Sequence, residues 1–243
     1  MSETTVCSFT IDEADGSVRS YRLGHEKDRL DSVAIGTFRF LTFKNMNTSF
    51  ARAETLTSAV LAPLDWVRGS VLILAFSLLT ALGAQVAIPL PWTPVPVTAQ
   101  TFVVLLAGAL LGSRLGALAM VAYLIEGASG LPFFAAGGAG LQRLLLSPTS
   151  GYLLSYPAAA FVVGLLAERG WDRRFVTAAL AMAVGSAIIL LSGWAWIARF
   201  TGPATAWTAG VVPFLIGDAV KIMLAASVLP SGWALLRRTG QRP

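Results

Sequence analysis

The chain has 243 residues, 55% of them hydrophobic and only 13% charged, with a mean hydropathy of +0.69. A soluble domain carries about 25% charged residues, so this composition excludes an ordinary soluble globule, and a disordered chain as well. The net charge of +5 would suit a nucleic-acid partner until its location is considered, and one cysteine (Cys7) with one histidine (His25) cannot build a disulfide framework or a Cys/His metal cluster.

Residues 1–68 hold nine of the thirteen acids and eight basic residues. No apolar run there resembles a signal-peptide core, and the mixed charges do not suit a transit peptide. The segment reads as a polar N-terminal extension, flexible and cytoplasmic. Met46, followed by Asn-Thr-Ser and then the hydrophobic region, reads as a genuine start preceded by an extension of residues 1–45.

A bilayer-crossing helix needs about 20 apolar residues, and six candidates follow at about 69–88, 97–111, 115–125, 151–167, 175–191 and 208–229. The first is stopped by Pro89, Pro91, Pro94 and Pro96; the second and third are short and turn at Gly112-Ser113-Arg114. The predicted fold is all-α, a polytopic membrane protein with six transmembrane helices. A six-helix domain over 69–230 is followed by a basic cytoplasmic tail over 231–243. Residues 127–150, rich in glycine and carrying Pro132, Arg143 and Pro148, are expected to fold back over the outer mouth of the bundle between the third and fourth helices. A plain external loop is the alternative.

Aromatic and basic residues set the topology. All seven tryptophans fall at predicted span ends, as interfacial anchors do. Eight arginines (68, 114, 169, 173, 174, 237, 238 and 242) cluster on one side, against Arg143 and Arg199 on the other. The positive-inside rule then puts both termini in the cytoplasm of a multi-pass protein of the inner or plasma membrane. The basic balance is thereby explained, and no nucleic-acid partner is expected.

Chemistry concentrates where charge interrupts the apolar spans. Asp218 and Lys221 stand three residues apart in the sixth span, on one helix face. One charge at mid-membrane costs about 2.5–3.5 kcal/mol on insertion scales, so the couple must face the bundle interior or a water-filled chamber. A carboxylate that accepts and an ammonium that donates suit a small, planar, polar group; an interhelical ion pair that only fixes packing is the competing reading. Gly217 beside them would let a ligand or helix approach, and Pro213 one turn earlier would free a backbone carbonyl. Thr98, Gln100 and Thr101 open the second span, and Ser147-Pro148-Thr149-Ser150-Gly151-Tyr152 opens the fourth. Either set also suits ordinary helix starts. There is no phosphate-binding Gly-x-x-x-x-Gly-Lys loop and no carboxylate-rich motif, so no catalytic residue, metal or cofactor is assigned. A solute-binding membrane protein needs only a shaped cavity with a few polar contacts.

Several motifs in order are similar to the BioY family, the biotin-binding S components of energy-coupling-factor transporters. They are Pro94-Val-Pro96-Val-Thr98-Ala-Gln100-Thr101, Leu106-Ala-Gly108, Gly112-Ser-Arg-Leu-Gly116 with Tyr123, Gly130-Leu-Pro132-Phe133, Ser147-Pro148-Thr149-Ser150-Gly151-Tyr152-Leu153-Leu154, and Pro213-Phe214 with Gly217-Asp218-x-x-Lys221. The resemblance runs from about residue 71 to 229. It implies capture of biotin and partnership with a transmembrane scaffold and ATP-binding-cassette ATPases, with membrane lipid as the surroundings. It accommodates transport with or without a dedicated module.

The resemblance also implies roles. Asp218 and Lys221 would address the ureido ring with Gln100, Phe133 and Tyr152 would pack the apolar part, Thr149 would add a hydroxyl, and Arg143 would meet the valerate carboxylate. This chain departs from the family pattern in several places. Ser147 and Ser150 stand where glycines are usual, and Ser155-Tyr156 replaces Gly-Phe. A strict Ala-x-x-x-Ala docking motif is missing from the first span, where Ser77/Ala81, Thr80/Ala84 and Gly83/Ala87 are the small pairs. The polar N-terminus has no family counterpart. Rival readings are the same fold with another vitamin or a biotin precursor, a membrane-embedded enzyme using Asp218 as acid or base, and a scaffold without a ligand.

Overall fold

The computed structural model describes residues 8–12, 18–22, 55–61 and 65–238. Two compact units form, residues 1–52 and 53–243. In the first, strands β1 (Ser8–Asp12) and β2 (Val18–Arg22) pair antiparallel. The remainder of the expected flexible extension, including the Met46 start, lies outside the described residues.

The second unit is helical. After a single turn and a half of helix, α1 (Leu56–Leu61), come α2 (Trp66–Gln85), α3 (Gln100–Leu111), α4 (Ser113–Ala128), α5 (Leu141–Leu146), α6 (Ser150–Glu168), α7 (Phe175–Thr201), α8 (Pro203–Gly210) and α9 (Val212–Arg238). Four of these, α2, α6, α7 and α9, are long and apolar enough to cross a membrane; α3 is a shorter apolar helix. Helix α6 forms the centre, packed by α3, α4 and α7. It buries 61% of its apolar window, against 28–39% for the other three long helices. The outward faces of those three keep leucine, valine and isoleucine exposed, Ile216 and Val71 among them, which only an apolar surround tolerates.

Small residues let the helices close on α6. A Cβ added at Gly164 would lie 2.3 Å from the Ser113 backbone nitrogen, so any other residue there would push α4 away. The same junction is polar. Glu168 at the end of α6 accepts from the Ser113 backbone N–H (2.7 Å) and hydroxyl (2.8 Å), placing a carboxylate at the positive end of α4.

Several expected boundaries move. Between α2 and α3 the chain is not helical at 87–88 or 97–98: strands β3 (Ala87–Ile88) and β4 (Val97–Thr98) pair antiparallel and close the proline-rich loop. The all-α expectation therefore needs a small correction, because the four prolines remove N–H donors and leave a hairpin as the available pairing. Helix α7 continues ten residues past Leu191, to Thr201. Ser192, Gly193 and Arg199 end the apolar run but not the helix, and Arg199 lies over the Trp196 ring at 3.8 Å. At 1.5 Å per residue α7 is about 40 Å long. The sixth predicted span is two helices, α8 and α9, broken at Val211 (φ −120°, ψ −56°). Pro213 is thus the second residue of α9, where a missing N–H costs nothing, and it frees no mid-helix carbonyl. Helix α9 runs through the start of the predicted tail to Arg238.

Candidate functional site

A cavity partly open to solvent lies where α3, α6, α7 and α9 converge beneath the loops before α3 and α6. Its polar wall is built by α9 against α3. Asp218 is 6% exposed and pairs with Lys221 at 3.2 Å. The Lys221 ammonium also donates to Thr101 Oγ1 at 2.7 Å. Ser186 of α7 donates its hydroxyl to the other Asp218 oxygen. The carboxylate is therefore bound on both oxygens yet still borders the void, which is what an acceptor awaiting a ligand requires.

The other walls come from the starts of α3 and α6. Gln100 is buried, donates its amide to the Tyr123 hydroxyl and accepts from Thr98 Oγ1 at 3.3 Å. Tyr123 in turn donates to the Phe133 carbonyl at 3.2 Å, so the Gln100 amide orientation is determined. Tyr152 presents its ring, held by a hydroxyl bond to the Gly210 carbonyl (2.5 Å) and tilted against Phe214 with centroids 6.0 Å apart. A Cβ on Gly193 would sit 2.1 Å from that ring, so glycine there is what gives Tyr152 its place in the wall. The partly exposed Thr149 and the exposed Arg143 also line the cavity.

Six of the seven sequence-predicted residues thus line one cavity: Asp218, Lys221, Gln100, Thr149, Tyr152 and Arg143. Phe133 does not. Its neighbour Phe134, 1% exposed, takes the place in the wall. The chain reverses there, through a turn at Ala135–Gly137 with Ala136 at φ 55°, and two adjacent phenylalanines cannot be told apart by sequence pattern. Gly217 is also less constrained than expected, since an added Cβ would meet only Val97 at 3.8 Å.

Other site residues had no sequence signal. Ser186 is one serine in an apolar helix. Tyr156 registered only as a departure from a family pattern. Gln85 at the end of α2 donates to the carbonyls of Pro132 (3.1 Å) and Phe134 (3.4 Å) and accepts from the Gly137 N–H (3.2 Å). That clasp holds the segment bearing Phe134 over the cavity, and a glutamine at a helix end has many ordinary roles. Among the described residues no group of three or more His, Cys, Asp or Glu side chains is placed to hold a metal ion.

At the far end of α9, Trp233 is buried in the fold. Its indole donates to Asp172 Oδ2 at 2.5 Å, and Arg173 lies over its ring at 4.7 Å. Trp233 is thus packed inside the fold, where a buried acid in the α6–α7 turn (Trp171–Arg173) accepts its N–H.

Residues 46–238 match the model of the BioY family. The chain is 41% identical over 157 residues to the "Probable biotin transporter BioY" of Pyrococcus horikoshii, covering 65% of this chain and 91% of that protein. It is 37% identical to the "Biotin transporter BioY" of Thermotoga maritima (63% and 88% covered) and 39% identical to that of Rhodobacter capsulatus (63% and 85%). The fold is similar, at a TM-score of 0.61 and 22% identity, to the crystal structure of the S-component for biotin from an ECF-type ABC transporter, covering 73% of this chain and 93% of that one.

Proposed function

The chain belongs to the BioY family, and from that premise we propose that it is the biotin-binding capture component of a membrane uptake system energised by partner ATPases. It is a transport component and not an enzyme. One observation carries the reading: the Asp218–Lys221 couple, which a membrane interior would otherwise expel, borders a partly open chamber walled by aromatic rings.

Each part of biotin has a complement in this chamber. The Asp218 carboxylate accepts a ureido N–H while the Lys221 ammonium donates to the ureido carbonyl oxygen, both charge-assisted bonds. Gln100 and Thr101 extend the polar end, and Thr149 adds a hydroxyl. The rings of Tyr152, Phe134 and Phe214 cover the apolar body and chain. The exposed Arg143 meets the carboxylate of the acid tail.

The proposed topology has six crossings: α2, α3, α4, α6, α7, and α8 with α9 as one interrupted span. The arginine asymmetry orients both termini to the cytoplasm and the cavity outward. ATP hydrolysis belongs to partner chains, a transmembrane scaffold and ATP-binding-cassette subunits, because the sequence holds no phosphate loop.

Labelled biotin tested against purified protein in lipid checks the reading. Saturable binding with intact biotin recovered on mass analysis is the expected result. Stronger competition by another vitamin would replace the ligand, and a chemically altered ligand would favour an enzyme.

A further inference from the structure

Three tyrosines are buried around the cavity, and two have committed hydroxyls: Tyr123 to the Phe133 carbonyl and Tyr152 to the Gly210 carbonyl. Tyr156 differs. It is 3% exposed, lines the cavity, and stacks its ring on Tyr123 with centroids 6.3 Å apart and planes 28° apart. Its hydroxyl makes no hydrogen bond to another described residue and is not among the sealed unpaired atoms, so it opens onto the cavity. Buried polar groups are paired in roughly nine cases of ten or more, and a phenylalanine would fill the same space without leaving a polar group unpaired. A hydroxyl that opens onto the cavity is available to a molecule that enters it.

Position narrows that partner. Tyr152 and Tyr156 are four residues apart on α6, so they share a face one turn apart. Thr149, partly exposed, precedes α6, so Tyr156 stands further along the helix from that exposed end than Tyr152, in the cavity that Asp218 also lines. The polar wall of that cavity is where Asp218, Lys221 and Thr101 converge. We propose that Tyr156 is a ligand-contacting residue whose hydroxyl hydrogen-bonds the ureido group held by Asp218 and Lys221. The assignment rests on the biotin reading above. The other heteroatom of the ring system, a thioether sulfur, is only a weak acceptor, so the ureido group is the better match.

Tyr156→Phe in the full chain, purified in lipid nanodiscs, tests this with two probes: biotin, and desthiobiotin, which keeps the ureido group and lacks sulfur. The expected result is binding weaker by roughly three- to tenfold for both probes, the size of one neutral hydrogen bond. The thermal unfolding midpoint of the ligand-free protein should be unchanged or slightly raised, since no protein partner is lost. A change of less than twofold for both probes would overturn the proposal and leave the hydroxyl to an ordered water. A loss confined to biotin would overturn it in favour of the sulfur. A variant that fails to fold would also overturn it, by showing that the protein rather than the ligand needs the hydroxyl. Wild-type protein that binds neither probe sinks the biotin reading itself and takes this assignment with it.

Discussion

Helix α9 carries two burial sites about 22 Å apart at 1.5 Å per residue, and they treat an aspartate in opposite ways. Near its start, Asp218 is held by Lys221 and Ser186 at the edge of a void. Near its end, Trp233 seals Asp172, which is 1% exposed and has one carboxylate oxygen without a hydrogen-bond partner among the described residues. Asp218 has a countercharge and a space beside it; Asp172 has an indole donor and no lining role in the cavity. A buried acid is thus not a functional site by burial alone. What distinguishes the two is whether the unused bonding capacity points into a chamber.

That contrast breaks first at Asp218. Asp218→Asn should weaken biotin binding roughly 10- to 100-fold, the range for a lost charge-assisted hydrogen bond, while size-exclusion behaviour in detergent stays normal. Equal affinity would remove the carboxylate from ligand recognition and make the two ends alike. At the sealed end, Trp233→Phe removes the indole donor and should destabilise the protein by about 1–2 kcal/mol, with biotin affinity of the folded fraction unchanged. Calorimetry paired with labelled-biotin titration separates those effects, and a large affinity loss would show that the two ends communicate.

A smaller effect belongs to the exposed Arg143. Arg143→Gln should lower affinity about two- to fivefold and flatten the salt dependence of association, as for an exposed charge that steers an anion. Stopped-flow binding at low and high salt reads it, and salt dependence identical to wild type would withdraw Arg143.

The smallest expected effect is a pH dependence confined to the sealed end. Burial holds Asp172 above the ordinary aspartate range, opposed by its own Trp233 hydrogen bond, a backbone bond and the Arg173 charge. A raised folded-state pKa means that the native protein favours the protonated acid. Its stabilising contribution is present below the unfolded aspartate pKa and is lost as pH rises through the folded value. Asp172→Asn should therefore flatten the unfolding midpoint against pH across that window without changing biotin affinity. An unchanged slope would exclude Asp172 as its source.

The places where sequence reading departs from structure follow the same physical divide. Apolar run length found the starts of α2, α3, α4, α6 and α7 within three residues, but it stopped α7 at Leu191 because Ser192 and Arg199 look like an end, whereas Trp196 stacks on Arg199 and the helix continues. The tryptophan pattern did not separate the exposed Trp66 and Trp92 from the buried Trp233. The site was legible through Asp218 and Lys221, whose spacing alone puts them together, and it was blurred at Phe133 and Phe134, where one residue of turn geometry decides which ring faces the cavity.

By itself the sequence determined what must be inside a membrane and which charges a membrane would not tolerate, because transfer cost depends on composition and local periodicity. Only the tertiary structure decided which partners meet those charges. Thr101 reaches Lys221 across 120 residues, Ser186 reaches Asp218 across 32, and Trp233 reaches Asp172 across 61. Contacts at such separations are set by how close the small residues of α6 let its neighbours come, and helix packing distance is not written in any local run of residues.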